Sequence, residues 1–148
     1  MTSGSNRVIV RKAMTDDLDD IKVLADAHRN ELGFVRRSAL IEAINRQEVM
    51  VAHNHQALAG FVEYRHRKDT QTTLYHLAVR PEYRRQGIGR VLMKALQAEA
   101  QATGKCKIRL KCPEDLPANH FYEHLGYQQV GIEIGKNRAL LVWQLALS

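Results

Sequence analysis

Apolar and polar residues alternate one for one along several short stretches of this chain and recur every three to four residues along others. The two periods sort it into strands and helices. "RVIVRKA" (Arg7–Ala13) alternates and predicts a first strand. Thr15 stands where a helix cap belongs, and Asp16 and Asp17 suit the positive end of the helix dipole. Ile21, Leu24, Ala25 and His28 then line one face through to about Glu31, with Gly33 as the stop. Ser38 is placed to cap a second short helix, "ALIEAINRQ". "VMVAH" and "ALAGFVEYRH" read as strands joined by the turn "NHQ", and "TTLYHLAV" as a fourth strand after the polar turn "KDTQ". A helix follows from about Gly89 to Thr103, with Val91, Leu92, Ala95, Leu96 and Ala98 at helical spacing and Gly104 as its end. "KCKIRLKC" alternates throughout, with Cys106, Ile108, Leu110 and Cys112 on one side and Lys107, Arg109 and Lys111 on the other. Pro117 opens a short helix through "ANHFYEHL", closed by Gly126, and two strands follow near Tyr127–Ile134 and Ala139–Leu147.

The predicted order is β-α-α-β-β-β-α-β-α-β-β, a mixed sheet with helices on its faces, which is an α+β or three-layer α/β/α arrangement. Neither a linker nor a repeat interrupts it, so residues 1–148 read as a single domain with a short polar tail at 1–6. Apolar residues make up 45% of the chain and charged residues 26%, a globular composition rather than a disordered one. No apolar run approaches the ~20 residues that span a bilayer, and "MTSGSNR" has no apolar core of a secretion signal. Cys106 and Cys112 are too few and too widely spaced for a zinc site or a CxxC redox pair, so no metal is expected. Free thiols without a signal point to the cytoplasm. The net charge of +6 suits an anionic partner or solubility alone, and where the charge sits matters more than its sum.

It is densest at "RRQGIGR" (Arg84–Arg90), between the fourth strand and a helix. A glycine-rich turn into a helix N-terminus makes an anion site, because the first amides of the helix lack partners and the dipole adds partial positive charge. Gly87 and Gly89 let the backbone approach an anion, and Arg84, Arg85 and Arg90 match phosphate geometry. A P-loop is excluded because Arg90-Val91 follows Gly89 where Lys-Ser/Thr is needed. A dinucleotide fingerprint is excluded because Leu92 stands at its third glycine.

The motif Arg-x-x-Gly-x-Gly from Arg84 to Gly89, preceded by "LAVRPEYR", resembles the signature of the GNAT superfamily of acyl-CoA-dependent N-acyltransferases. "DLPANHFYEHLGY" (Asp115–Tyr127) is similar to that family's later motif, with Ala118, Phe121, Tyr122, Gly126 and Tyr127 in place. The element order matches the family over nearly the whole chain, implying a mostly antiparallel central sheet of about seven strands flanked by four helices. The resemblance implies acetyl-CoA as co-substrate. The backbone of Leu77, Ala78 and Val79 would bond the pantetheine arm at a splay in the sheet. The amides of Arg85, Gln86, Gly87, Ile88 and Gly89 would wrap the pyrophosphate, and Arg84, Arg85 and Arg90 would neutralise it. Asn119 and Tyr122 would face the thioester end, with Tyr122 as the general acid for the departing thiolate and a backbone N–H near Val79 meeting the oxyanion. One departure stands out: the family's usual Asn before the short helix is Asp115 here, which can still cap the helix, with Asn119 as a substitute amide.

The implied chemistry is direct attack of a primary amine on the thioester in a ternary complex, where positioning alone supplies roughly 7–11 kcal/mol of the barrier. The family does not fix the base. If the hairpin turns about Asp69-Thr70, Glu63 faces His76 across it, either as a base or as a solvated structural pair. Cys112 reads as a buried strand cysteine, with no Cys–His arrangement to make it a nucleophile. Lys107, Arg109 and Lys111 read either as a solvated strand face or as a border of the acceptor site that favours an acidic acceptor. "NELGFVRR" (Asn30–Arg37) would help line the acceptor cleft, with Phe34 as an apolar wall and Arg36 and Arg37 for anions. The acceptor, small molecule or peptide, is not named by the chain. "ALLVWQLAL" fits either a core strand or a homodimer contact. The competing readings are a GNAT module that binds acyl-CoA without catalysis, and a basic nucleic-acid-binding domain. Against the latter, no helix carries a basic reading stripe and no sheet face is studded with aromatics.

Overall fold

The computed structural model describes residues 8–54 and 57–148. The polar tail, Arg7 of the expected first strand, and His55 and Gln56 of the turn "NHQ" lie outside the described residues. Seven strands are hydrogen-bonded in the order β1-β2-β3-β4-β5-β7-β6. They are β1 (Ile9–Lys12), β2 (Val49–His53), β3 (Leu58–His66), β4 (Gln71–Val79), β5 (Lys107–Pro113), β6 (Gln128–Ile134) and β7 (Ala139–Ala146). Four helices accompany them: α1 (Leu18–Ala27), α2 (Arg37–Asn45), α3 (Ile88–Ala102) and α4 (Ala118–His124). Single helical turns at Thr15–Asp17, Arg29–Leu32 and Pro81–Tyr83 complete the order expected of the chain. The chain divides into two compact units, residues 1–64 with 76–96, and residues 65–75 with 97–148.

In the first unit, β1 pairs antiparallel with β2, and β2 with β3 through Val49↔Glu63 to Ala52↔Gly60. Leu18, Ile21, Leu24 and Ala25 of α1 and Leu40, Ala43 and Ile44 of α2 close over Val49, Val51, Phe61 and Ala78 as one apolar cluster. β3 is buried from Leu58 to Tyr64, as a strand covered on both faces must be. On its other face Gly60 is required by space: a Cβ there would lie 2.7 Å from the Ala78 carbonyl oxygen and 3.2 Å from Leu92 Cδ1.

Several expectations are corrected by tertiary partners. Thr15 does not cap α1; the Asp17 carboxylate accepts the Met14 amide at 2.7 Å and is itself clamped by Arg11 at 2.8 and 2.9 Å. The first helix does not run through to Glu31 but breaks at His28 (φ −109°, ψ 27°) before the short turn that ends at Gly33. α2 begins at Arg37 with Arg36 extended before it, so Ser38 lies inside the helix and caps nothing. α3 buries Leu92, Met93, Leu96 and Ala100, while Val91 and Ala98 are exposed, which rotates its apolar stripe from the expected one.

In the second unit β5 pairs antiparallel with β7, Lys107↔Ala146 to Pro113↔Leu140, and β7 with β6. Ile108, Leu110 and Cys112 are buried as the alternation requires, but Cys106 precedes the strand and is exposed. β5 pairs parallel with β4 at Gln71↔Lys107, Thr72↔Ile108 and Thr73↔Arg109.

The β3–β4 hairpin is tied at its turn and again further along. Its turn closes with the Arg67 amide donating to the Gln71 carbonyl at 2.8 Å, and the His66 ring meets Thr72 Oγ1 at 2.7 Å. Further along, Glu63 Oε1 meets His76 Nδ1 at 2.7 Å. Counted from that turn, Glu63 would stand level with Tyr75, one residue short of the His76 that it meets.

Candidate functional site

The stretch 84–90 follows the turn Pro81–Tyr83 and feeds α3. Two residues in it adopt positive φ: Arg85 at 66° and Gly87 at 80°. Glycine takes that conformation freely, and a Cβ on Gly87 would meet nothing within 4 Å, so its backbone faces open space. The helix begins with the Val91 amide donating to the Gly87 carbonyl at 2.9 Å. Among the described residues, the amides of Arg85, Gln86, Gly87, Ile88, Gly89 and Arg90 donate to no acceptor. Six consecutive unmet donors, at the positive end of a fifteen-residue helix, form an anion cradle. Arg84, Arg85 and Arg90 are exposed around it.

Arg84 is held by His28, which the helical spacing places on the apolar face of the first helix. Its guanidinium donates to His28 Nε2 at 2.8 Å, while His28 Nδ1 donates to the Leu24 carbonyl at 3.0 Å. These partners assign the ring as neutral with its proton on Nδ1. The break at His28 swings this buried side chain, 4% exposed, off the helix axis toward the cradle arginine. The signal in the sequence was a histidine among apolar positions just before the polar segment 29–33.

Leu77, Ala78 and Val79 form the end of β4, where the Arg80 amide returns to the Ala59 carbonyl at 2.8 Å. Glu63 and His76 are brought together in the same unit, with Glu63 7% exposed. The carboxylate accepts from Nδ1. Phe34 is exposed, with the Lys22 ammonium 4.8 Å and the Arg29 guanidinium 5.1 Å from its ring centre, and Arg37 pairs with Asp19 at 2.6 Å.

In the second unit Tyr122 and Asn119 lie on α4. Tyr122 packs edge-on to Phe121 and Tyr127, its hydroxyl has no hydrogen-bond partner among the described residues, and burial pushes its phenol well above the usual range. Asn119 is spent within the unit: its amide donates to the Pro113 and Leu116 carbonyls at 2.8 and 2.9 Å, and its carbonyl accepts from Trp143 Nε1 at 2.8 Å. Asp115 does not cap α4 but binds Arg138 at 2.8 Å, which holds its carboxyl below the usual range. Burial pushes the Cys112 thiol up to about 11, so it stays protonated at neutral pH and is a poor nucleophile. Among the described residues no group of His, Cys, Asp and Glu is arranged to hold a metal, and no helix is long and apolar enough to cross a membrane.

Residues 45–129 match the family model of the acetyltransferase (GNAT) domain. Solved structures share the fold. Ard1 from Thermoplasma volcanium superposes with a TM-score of 0.86 at 17% identity, covering 95% of this chain and 98% of that one. The ribosomal-protein-S18-alanine N-acetyltransferase from Escherichia coli gives 0.81 at 21% identity, covering 96% and 95%. The PaiA N-acetyltransferase from Thermoplasma acidophilum, in complex with coenzyme A, gives 0.77 at 18% identity, covering 92% and 98%.

Proposed function

This chain belongs to the GNAT family of acyl-CoA-dependent N-acetyltransferases, and from that premise we propose that it transfers the acetyl group of acetyl-CoA to a primary amine by direct attack in a ternary complex. The observation that carries the reading is the cradle: six unmet amides from Arg85 to Arg90 around an open Gly87, ringed by three arginines. These amides take the pyrophosphate oxygens, and Arg84, Arg85 and Arg90 offset their charge. Leu77, Ala78 and Val79 lend their backbone to the pantetheine arm. An amide near Val79 meets the carbonyl oxygen as it gains charge.

His76 takes the proton of the attacking amine, with Glu63 fixing the ring and balancing the imidazolium that forms. The amine nitrogen bonds to the carbonyl carbon, the carbon–sulfur bond breaks, and Tyr122 donates its hydroxyl proton to the departing sulfur. Asn119 acts here by holding α4 against β7 through Trp143, since both of its amide hydrogens are given to carbonyls within the unit. The acceptor is a small-molecule or peptide amine. The Escherichia coli neighbour, named for a protein alanine, makes the peptide class the first to screen. Two free thiols accord with a cytoplasmic setting.

Calorimetric titration of acetyl-CoA into the wild type and Gly87→Glu tests the reading. The substitution puts a side chain at φ 80° and a negative charge where the pyrophosphate lies. Binding by wild type and its loss in the variant support the assignment, and an amine screen with Tyr122→Phe as control then reads transfer. Binding without transfer to any amine would leave an acyl-CoA-binding module. A folded wild type that binds no acetyl-CoA would overturn the reading altogether.

A further inference from the structure

We propose that the solvent side of the sheet in the second unit is a docking surface for an acidic stretch of another polypeptide. β5 sends Ile108, Leu110 and Cys112 into that unit's core, so Lys107, Arg109 and Lys111 stand on the opposite face. The registers extend this face sideways. Gln71 and Thr73 of β4 lie opposite Lys107 and Arg109, Gln144 of β7 opposite Arg109, and Gln128 of β6 opposite Gln144. Arg67 joins it by donating to Thr73 Oγ1 at 3.1 Å and to the Tyr75 hydroxyl. Arg65, two residues back along β3, shares the face by the period of the strand.

Five cations thus stand among amides and hydroxyls. Lys111 meets a carboxylate, Glu133 at 2.8 Å. Among the described residues Arg65, Arg67, Lys107 and Arg109 form no ion pair. Arg67 and Arg109 are steadied by neutral oxygens instead, the latter by Gln144 Oε1 at 2.9 Å, which fixes the guanidinium without cancelling its charge. Like charges on neighbouring strands repel, so the bare face is raised in energy and a polyanion laid across it relieves the repulsion.

The spacing favours a polypeptide. Side chains on one face of a strand repeat every ~6.8 Å, and an extended chain with acids at alternate positions repeats by the same length. Single-stranded nucleic acid needs open aromatic rings for its bases, but Tyr75 already carries the Arg67 guanidinium 5.5 Å from its ring centre.

The proposal stands whether or not the chain transfers acyl groups, and its probe carries no amine. An N-acetylated, fluorescently labelled peptide alternating Glu and Ser is titrated against the full chain by anisotropy, beside a single-stranded oligothymidylate. The peptide is expected to bind, with an affinity that falls about tenfold in Arg65→Ser/Lys107→Ser and falls again with added salt. Neither side chain makes a hydrogen bond among the described residues, so the double variant removes charge without breaking the fold, which its thermal transition verifies. Arg109→Gln, which keeps an amide beside Gln144, repeats the test at the centre of the face. Unchanged affinity in folded variants overturns the proposal. So does binding of the oligothymidylate in place of the peptide, or binding of neither.

Discussion

Tyr122 is 7% exposed beside the rings of Phe121 and Tyr127, and among the described residues its hydroxyl has no hydrogen-bond partner. A structural tyrosine in that position would work equally well as phenylalanine. Tyr122→Phe is therefore expected to leave the denaturation midpoint unchanged while lowering kcat by roughly 10²–10⁴-fold, with KM for acetyl-CoA almost constant. Steady-state kinetics beside a thermal melt separates the two roles. Because burial raises its phenol, the group stays a proton donor throughout the neutral range, and the alkaline limb of a rate profile belongs to another group. His28 gives the second prediction at this scale. His28→Phe frees Arg84, which must then be immobilised on binding, so acetyl-CoA affinity should fall about three- to tenfold. His28→Gln keeps an oxygen near Nε2 and should recover most of that loss in the same titration.

The elements were legible wherever one face of a strand or helix meets a core, because burial then imposes its period on the chain. β5 is the clearest case: Ile108, Leu110 and Cys112 had no other way to point. What was not legible was decided by partners distant in sequence. The clamp of Arg11 on Asp17 displaces Thr15 as the start of the first helix, and Arg138 takes Asp115 away from α4. Of the candidate site, the glycine-arginine loop and the Glu63–His76 pair could be found from local spacing. The closing of the turn by Arg67 and Gln71 could not, since it depends on the folded hairpin. Gly60 is another such case: nothing in "LAGF" announces that the Ala78 carbonyl passes 2.7 Å from where a Cβ would be. Gly60→Ala should cost about 1–3 kcal/mol, read as a lower urea midpoint at constant slope.

For the molecule as a whole, the buried titrating groups set an alkaline limit. Cys112, with its thiol raised from 9.0 to about 11, and Tyr122 and Tyr127, raised from 10.0, all hold their protons more tightly folded than unfolded. Their contribution to stability is complete below the unfolded values and is lost as pH climbs past them. Urea midpoints should hold steady up to about pH 8.5 and fall from pH 9 upward, with a shallower fall in Tyr127→Phe. At the acid end the sign reverses: Asp17 is lowered by Arg11, so its share is present above 3.8 and disappears as pH drops below it.

The unmet amides from Arg85 to Arg90 have a kinetic signature too. A backbone N–H with no acceptor trades its hydrogen for solvent deuterium at close to the rate of an unfolded peptide, while those deep in α3 wait for the helix to open. By mass spectrometry this run should therefore fill with deuterium within the first time points, ahead of the helix it introduces. Once an anion occupies the cradle, the same amides should become some of the slowest outside the core, and the lag would time how long each bound anion stays.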